Sequence, residues 1–125
     1  MDMWGDELEV FARRHSLQDL AQDEHGVARA SLEGGACELF IDASRNTCAS
    51  IYVLFPMDRP SVATLLHGLQ LCEPARVVGH PIHCVSDGGS RVGFLINLDA
   101  AHMHADAMAV ALAQILQTMI RMLHG

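Results

Sequence analysis

Chemistry in this chain would have to come from its histidines and cysteines. It has eight histidines, and the densest group is His80-Pro-Ile-His83-Cys84, with His102 and His104 further along. Imidazole and thiolate bind zinc and copper, and imidazole also serves as a general base. The spacing suits neither task. On a helix His102 and His104 would point about 200° apart, whereas a helical metal pair is three or four residues apart. Cys37, Cys48, Cys72 and Cys84 form no CxxC knuckle or redox pair. Ser61 and Ser90 fall in turns without a nucleophile elbow, and Gly34-Gly35 and Gly88-Gly89 are too short to cradle phosphate. Lysine is absent, which removes Schiff-base chemistry and the phosphate-loop lysine. The chain is therefore expected to be no enzyme, with no catalytic residue, metal or other cofactor.

What remains is a binding role, and composition limits the partner. A chain of 125 residues, half of them apolar, is expected to form a single domain over 1–125 with a real core. Fifteen acids against eight arginines give a net charge of −7. That charge repels phosphate backbones and anionic bilayers, so neither nucleic acid nor membrane is an expected partner. The start, Met1-Asp-Met-Trp-Gly-Asp-Glu, is no secretory signal, and no stretch reads as long enough to span a bilayer. With these cysteines the chain is expected to be cytoplasmic with free thiols. A Cys37–Cys48 bridge is conceivable, but in a reducing compartment both act as small buried hydrophobes.

The elements follow from periodicity. Asp6 to His15 reads as a short amphipathic helix with Leu8, Phe11, Ala12 and His15 on one stripe, acids leading and arginines closing. Leu17 and Leu20 continue into a link, and Asp23-Glu24-His25-Gly26 is a turn. Strands are expected at Val27 to Leu32, Ala36 to Asp42 and Thr47 to Phe55, joined by turns at Glu33-Gly34-Gly35 and Ser44-Arg45-Asn46. Pro56 ends the third strand, and Asp58-Arg59-Pro60-Ser61 leads into a helix from Ser61 to about Cys72. Val77 to Val85 reads as an edge or bulged strand interrupted by Pro81. A turn at Asp87-Gly88-Gly89-Ser90 then leads to a strand from Arg91 to Leu98. Asp99 can cap a final helix reaching about Leu123. Its apolar rows are Met108, Leu112, Ile115 and Met119, beside Val110, Ala113, Leu116 and Ile120. Gln114, Gln117, Thr118 and Arg121 form a narrow polar stripe. The order α-β-β-β-α-β-β-α predicts an α+β fold: a twisted, mainly antiparallel five-stranded sheet with three helices.

Two of these strands are apolar on both faces. Cys37, Leu39 and Ile41 share one face with Ala49, Ile51, Val53 and Phe55, while Phe40, Tyr52 and Leu54 emerge on the other. Either a helix of the same chain covers this second face or another polypeptide does.

In this order of elements the chain resembles the class I type III secretion chaperones of the Tir-chaperone family. The resemblance is carried by Leu17 to Leu20 with Asp23-Glu24-His25-Gly26, the strand ending Leu54-Phe55-Pro56, Leu65-Leu66-His67-Gly68-Leu69-Gln70-Leu71, and the Asp87-Gly88-Gly89 turn. It implies a cytoplasmic bacterial homodimer that binds the N-terminal segment of a secreted effector, extended and secretion-competent, without ATP. By the same likeness, dimerisation maps to Leu65, Leu66, Leu69 and Leu71 and to Val77, Val78, His80 and Ile82, with Gly68 and Pro81 as departures that weaken both elements. Effector contacts are expected at Leu8, Phe11, Leu32, Phe40, Tyr52, Leu54 and Leu95, with an acidic rim of Glu33, Glu38 and Asp42 favouring basic segments. The alternative is an α/β protein-binding module, an adaptor or sensor, with no role in secretion.

Overall fold

A computed structural model describes residues 3–17, 19–32, 36–45, 47–57, 61–74 and 79–124. The elements are α1 (Met3–Arg14), β1 (Ala21–Gln22), β2 (Val27–Leu32), β3 (Cys37–Asp42), β4 (Cys48–Pro56), α2 (Val62–Leu71), β5 (Ile82–Ser86), β6 (Arg91–Asp99) and α3 (Ala105–His124). The architecture is α+β with three helices. The strands form one antiparallel sheet in the order β1-β2-β3-β4-β6-β5.

The sheet has six strands, not five. The added β1 lies in the expected link and pairs Ala21 with Arg29 and Gln22 with Ala28. Two residues are too few for an alternating pattern to register. The strand expected from Val77 begins at Ile82. Its start at Val77 and Val78 lies outside the described residues, as do Glu33-Gly34-Gly35, Asn46 and Asp58-Arg59-Pro60.

The alternation of β3 and β4 sorts their side chains as the spacing requires. Leu39, Ile41, Ile51, Val53 and Phe55 point inward with Phe94 and Ile96 of β6, and Phe11, Met108 and Ile115 of the helices complete that core. The helices lie on this side of the sheet: α3 packs on β4 and β6, α1 on α3, and α2 on α3 and β5. Glu7 of α1 accepts from the Ala105 N–H at 2.8 Å, and Arg14 pairs with Asp106, so α1 is tied to the first turn of α3. At the other end, Gly68 of α2 lies where a Cβ would be 3.1 Å from Met122 Cε. The glycine is where α2 meets α3.

Two readings of the last helix change. Asp99 caps a 3-10 turn, Ala100–His102, by accepting from the His102 N–H at 3.1 Å; the N-terminal cap of α3 is His104, whose Nδ1 accepts from the Ala107 N–H at 3.2 Å. The polar stripe also points inward in part. Thr118 is buried and donates to the Gln114 carbonyl at 2.8 Å, and Gln114 clamps the His80 main chain, donating to its carbonyl at 2.7 Å and accepting from its N–H at 3.2 Å. Val110, Ala113 and Ile120, expected inside, are exposed. The His80 peptide group, which needs partners, fixes the rotation of the helix. At 20 residues, α3 is also long and apolar enough to cross a bilayer, contrary to the sequence reading, but here its inward face is buried in the core.

Candidate functional site

On the face of the sheet away from the helices, one row crosses five strands. Arg29 pairs with Phe40, Phe40 with Tyr52, Tyr52 with Leu95, and Leu95 with His83. Partners in an antiparallel ladder share a face, so register alone assembles this row. Phe40 and Tyr52 stack with centroids 4.8 Å apart and planes 7° apart. The guanidinium carbons of Arg29 and Arg91 sit 5.6 and 5.9 Å from the Phe40 centroid, within cation–π range. Leu54, beside the row, pairs across with Glu38 and Gly93.

Polar groups shape this surface. Arg91 donates to Glu38 at 2.9 Å and to Asp87 at 3.0 Å, and these two carboxylates hold its charge firmly in place. Asp87 also accepts from the Gly89 N–H, which with Arg91 lowers its carboxyl below the usual carboxylate range. Burial pushes the Tyr52 hydroxyl up, and the charge of Asp42 adds to this. Phe40 and Leu54 are each only 7% exposed, although neither belongs to the inner core. Tyr52, Arg29 and Arg91 lie against Phe40, and the row is a mixed aromatic and cationic surface.

The seven residues expected to bind a partner are thus divided. Phe40, Tyr52, Leu54 and Leu95 share the outer face. Phe11 is fully buried among the helices, with its ring 4.6 Å from that of His15, and Leu32 packs at the margin of the inner core. Leu8 lines a separate groove of about 580 Å³ between α1 and the β1–β2 edge, with Ala12, Leu17, Leu20 and Ala28 as its apolar walls. Leu17, Leu20 and Ala28 were not expected there. The helical stripe of α1 was legible, but not the strand that would face it.

The expected dimer residues divide too. Leu66 and Leu69 are 52% and 54% exposed, whereas Leu65 and Leu71 rest on the core and Ile82 is buried within it. His80 is half-buried, its main chain held by Gln114. Val77 and Val78 lie outside the described residues. Val62, at 73% exposed, joins Leu66 and Leu69 on the open side of α2; a helix apolar nearly all round gives no phase from which to choose it.

The histidines gather without forming a ligand set. The His80 and His102 rings lie 5.6 Å apart and those of His102 and His104 6.4 Å apart. His102 Nδ1 is held by Asp99 at 2.6 Å, and His104 Nδ1 is used in capping α3. Among the described residues, no group of three or more His, Cys, Asp or Glu is placed to hold a metal ion. Cys48, Cys72 and Cys84 are free thiols; burial, with the nearby Cys84, pushes the Cys72 thiol up to about 11.

No family model matches the sequence, and no curated protein matches it. Solved structures do. A chain of the Yersinia pestis type III secretion chaperone SycH in complex with a stable fragment of YscM2 superposes with a TM-score of 0.71 at 11% identity, covering 96% of this chain and 99% of that one. The HopA1–SchA chaperone–effector complex gives 0.65 at 14% identity, covering 98% and 94%. The ExsC–ExsE complex gives 0.61 at 16%, covering 94% and 90%. Over nearly its whole length, the chain therefore has the fold of solved type III secretion chaperones.

Proposed function

We propose that this chain is a cytoplasmic type III secretion chaperone, one that binds the N-terminal region of a secreted effector in extended form and keeps it soluble and competent for export. The observation that carries this reading is the match of the whole fold to SycH, solved with a fragment of YscM2, and to a chaperone–effector complex. Two surfaces suit an extended chain: the outer sheet row of Phe40, Tyr52, Leu54 and Leu95, and the groove beside α1 that contains Leu8. The groove meets the short edge strand β1, where an incoming segment can gain main-chain hydrogen bonds, and the outer row is separated from that edge by β2. Binding of this kind needs no ATP, and the chain has no lysine for a phosphate loop. The working form is a homodimer joined through Val62, Leu66 and Leu69 of α2, an exposed apolar set on a short helix.

The test is affinity purification of the tagged chain from its native host, with mass spectrometry of co-eluting proteins and limited proteolysis of the complex. A larger protein protected over a stretch near its N-terminus is the expected result. A partner engaged only through a folded domain, or no partner, would overturn the reading.

A further inference from the structure

The free edge of β1 is bracketed by carboxylates. Ala21 pairs with Arg29 and Gln22 with Ala28, so Ala21 stands on the outer face while Gln22 turns toward the groove beside α1. Asp23 continues the register, its N–H donating to the Val27 carbonyl at 2.9 Å. At the other end Asp19 lies just before β1, and its Oδ2 accepts from the Ser31 N–H of β2 at 3.3 Å. Both acids are exposed, and among the described residues neither has a cation within ion-pair distance. The N–H groups of Val27 and His25 hold the Asp23 carboxyl below the usual carboxylate range, so it stays ionised. Arg29 adds to this, but its guanidinium rests on Phe40, away from the edge.

The acidic rim expected at Glu33, Glu38 and Asp42 is a different one. Glu38 is engaged by Arg91, Asp42 accepts from the Ser44 N–H at 2.9 Å, and Glu33 lies outside the described residues. At the mouth of the groove Glu9 and Arg13 are one of each sign, and the walls are apolar. The uncompensated charge beside the groove is therefore that of Asp19 and Asp23.

An extended segment added to β1 sends alternate residues to the two faces of the sheet. The residue opposite Ala21 lies on the outer face, and its two neighbours point into the groove between Leu8, Ala12, Leu17, Leu20 and Ala28. The next residue on each side returns to the outer face, beside Asp19 or Asp23, where opposite charges across the pair are favourable and like charges are not. We propose that this edge selects a five-residue pattern, basic-apolar-any-apolar-basic, an inference that rests on the chaperone reading in taking the edge as the docking surface. The net charge of −7 attracts such a segment at long range.

Three capped peptides with serine flanks are titrated against the nitrogen-15-labelled full chain: lysine-valine-serine-valine-lysine, the same with glutamate for lysine, and valine-lysine-serine-lysine-valine. The first should shift the Ala21 and Gln22 amides and bind about tenfold tighter than the glutamate peptide, the combined effect of two exposed pairs. It should also bind tighter than the third, which has the same composition and charge in the wrong order. Asp19→Asn with Asp23→Asn keeps an amide oxygen for each main-chain N–H and should bring the lysine and glutamate peptides within about twofold. Equal affinities in the native chain, a lysine preference that survives the double variant, or a third peptide that binds as well as the first would overturn the proposal. So would β1 amides moved by no peptide. Co-purification of a partner protected near its N-terminus decides the chaperone reading separately, so either can fail while the other stands.

Discussion

At the scale of single residues, Gly93 has the least freedom to change. It sits in β6 opposite Leu54, and a Cβ built there would lie 1.8 Å from the Val53 carbonyl oxygen. No rotamer relieves that contact, because both partners are backbone. Gly93→Ala should destabilise the fold by about 3 kcal/mol or more, since the two central strands must part. Chemical denaturation checks this, and a loss below about 1 kcal/mol would show that the strands can separate without cost. Gly68 teaches a related lesson: the sequence marked it as a weak point in a helix, whereas the structure places Met122 against it. The alternation of β3 and β4 was legible down to individual side chains, because the two faces of a strand are fixed by parity. The self-cover of Phe40 by arginines was not, because it depends on long side chains whose reach no spacing rule encodes.

At the scale of elements, α2 is the helix with the most apolar surface left open at adjacent turns. Leu66→Asp with Leu69→Asp should convert the proposed dimer to a monomer with unchanged circular dichroism, because neither side chain belongs to the inner core. Analytical ultracentrifugation distinguishes the outcomes. A native chain that sediments as a monomer, or a variant that stays dimeric, removes α2 as the interface. Helix positions were readable from capping and periodicity, but helix rotation was not. In α3 nearly every direction is apolar, so packing chose the phase through Gln114 and the His80 main chain. The same limit hid β1, whose two residues make sense only as partners of Arg29 and Ala28. It also divided the expected binding set: facing strands follow from pattern, but which side of a sheet a helix covers is decided by connections that pattern does not contain.

At the scale of the whole molecule, the sheet order ranks the strands by protection. β2, β3, β4 and β6 are paired on both sides, β2 over only two residues on its β1 side, while β1 and β5 each have one neighbour. Hydrogen exchange followed by mass spectrometry should find the amides of β4 and β6 slowest and those of β1 and β5 fast, with β1 nearest to exchange-limited behaviour. Edge strands as protected as the centre would contradict this ranking. The order also has a consequence for how the protein is made. Strands β2, β3 and β4 pair with sequence neighbours, but β4 must wait for β6, which returns only after α2 and β5 have been synthesised. A nascent chain that has not reached Arg91 therefore presents all nine residues of β4 as an open apolar edge. Chains released early at that point should aggregate, and the half-made protein itself needs protection until its last third emerges from the ribosome.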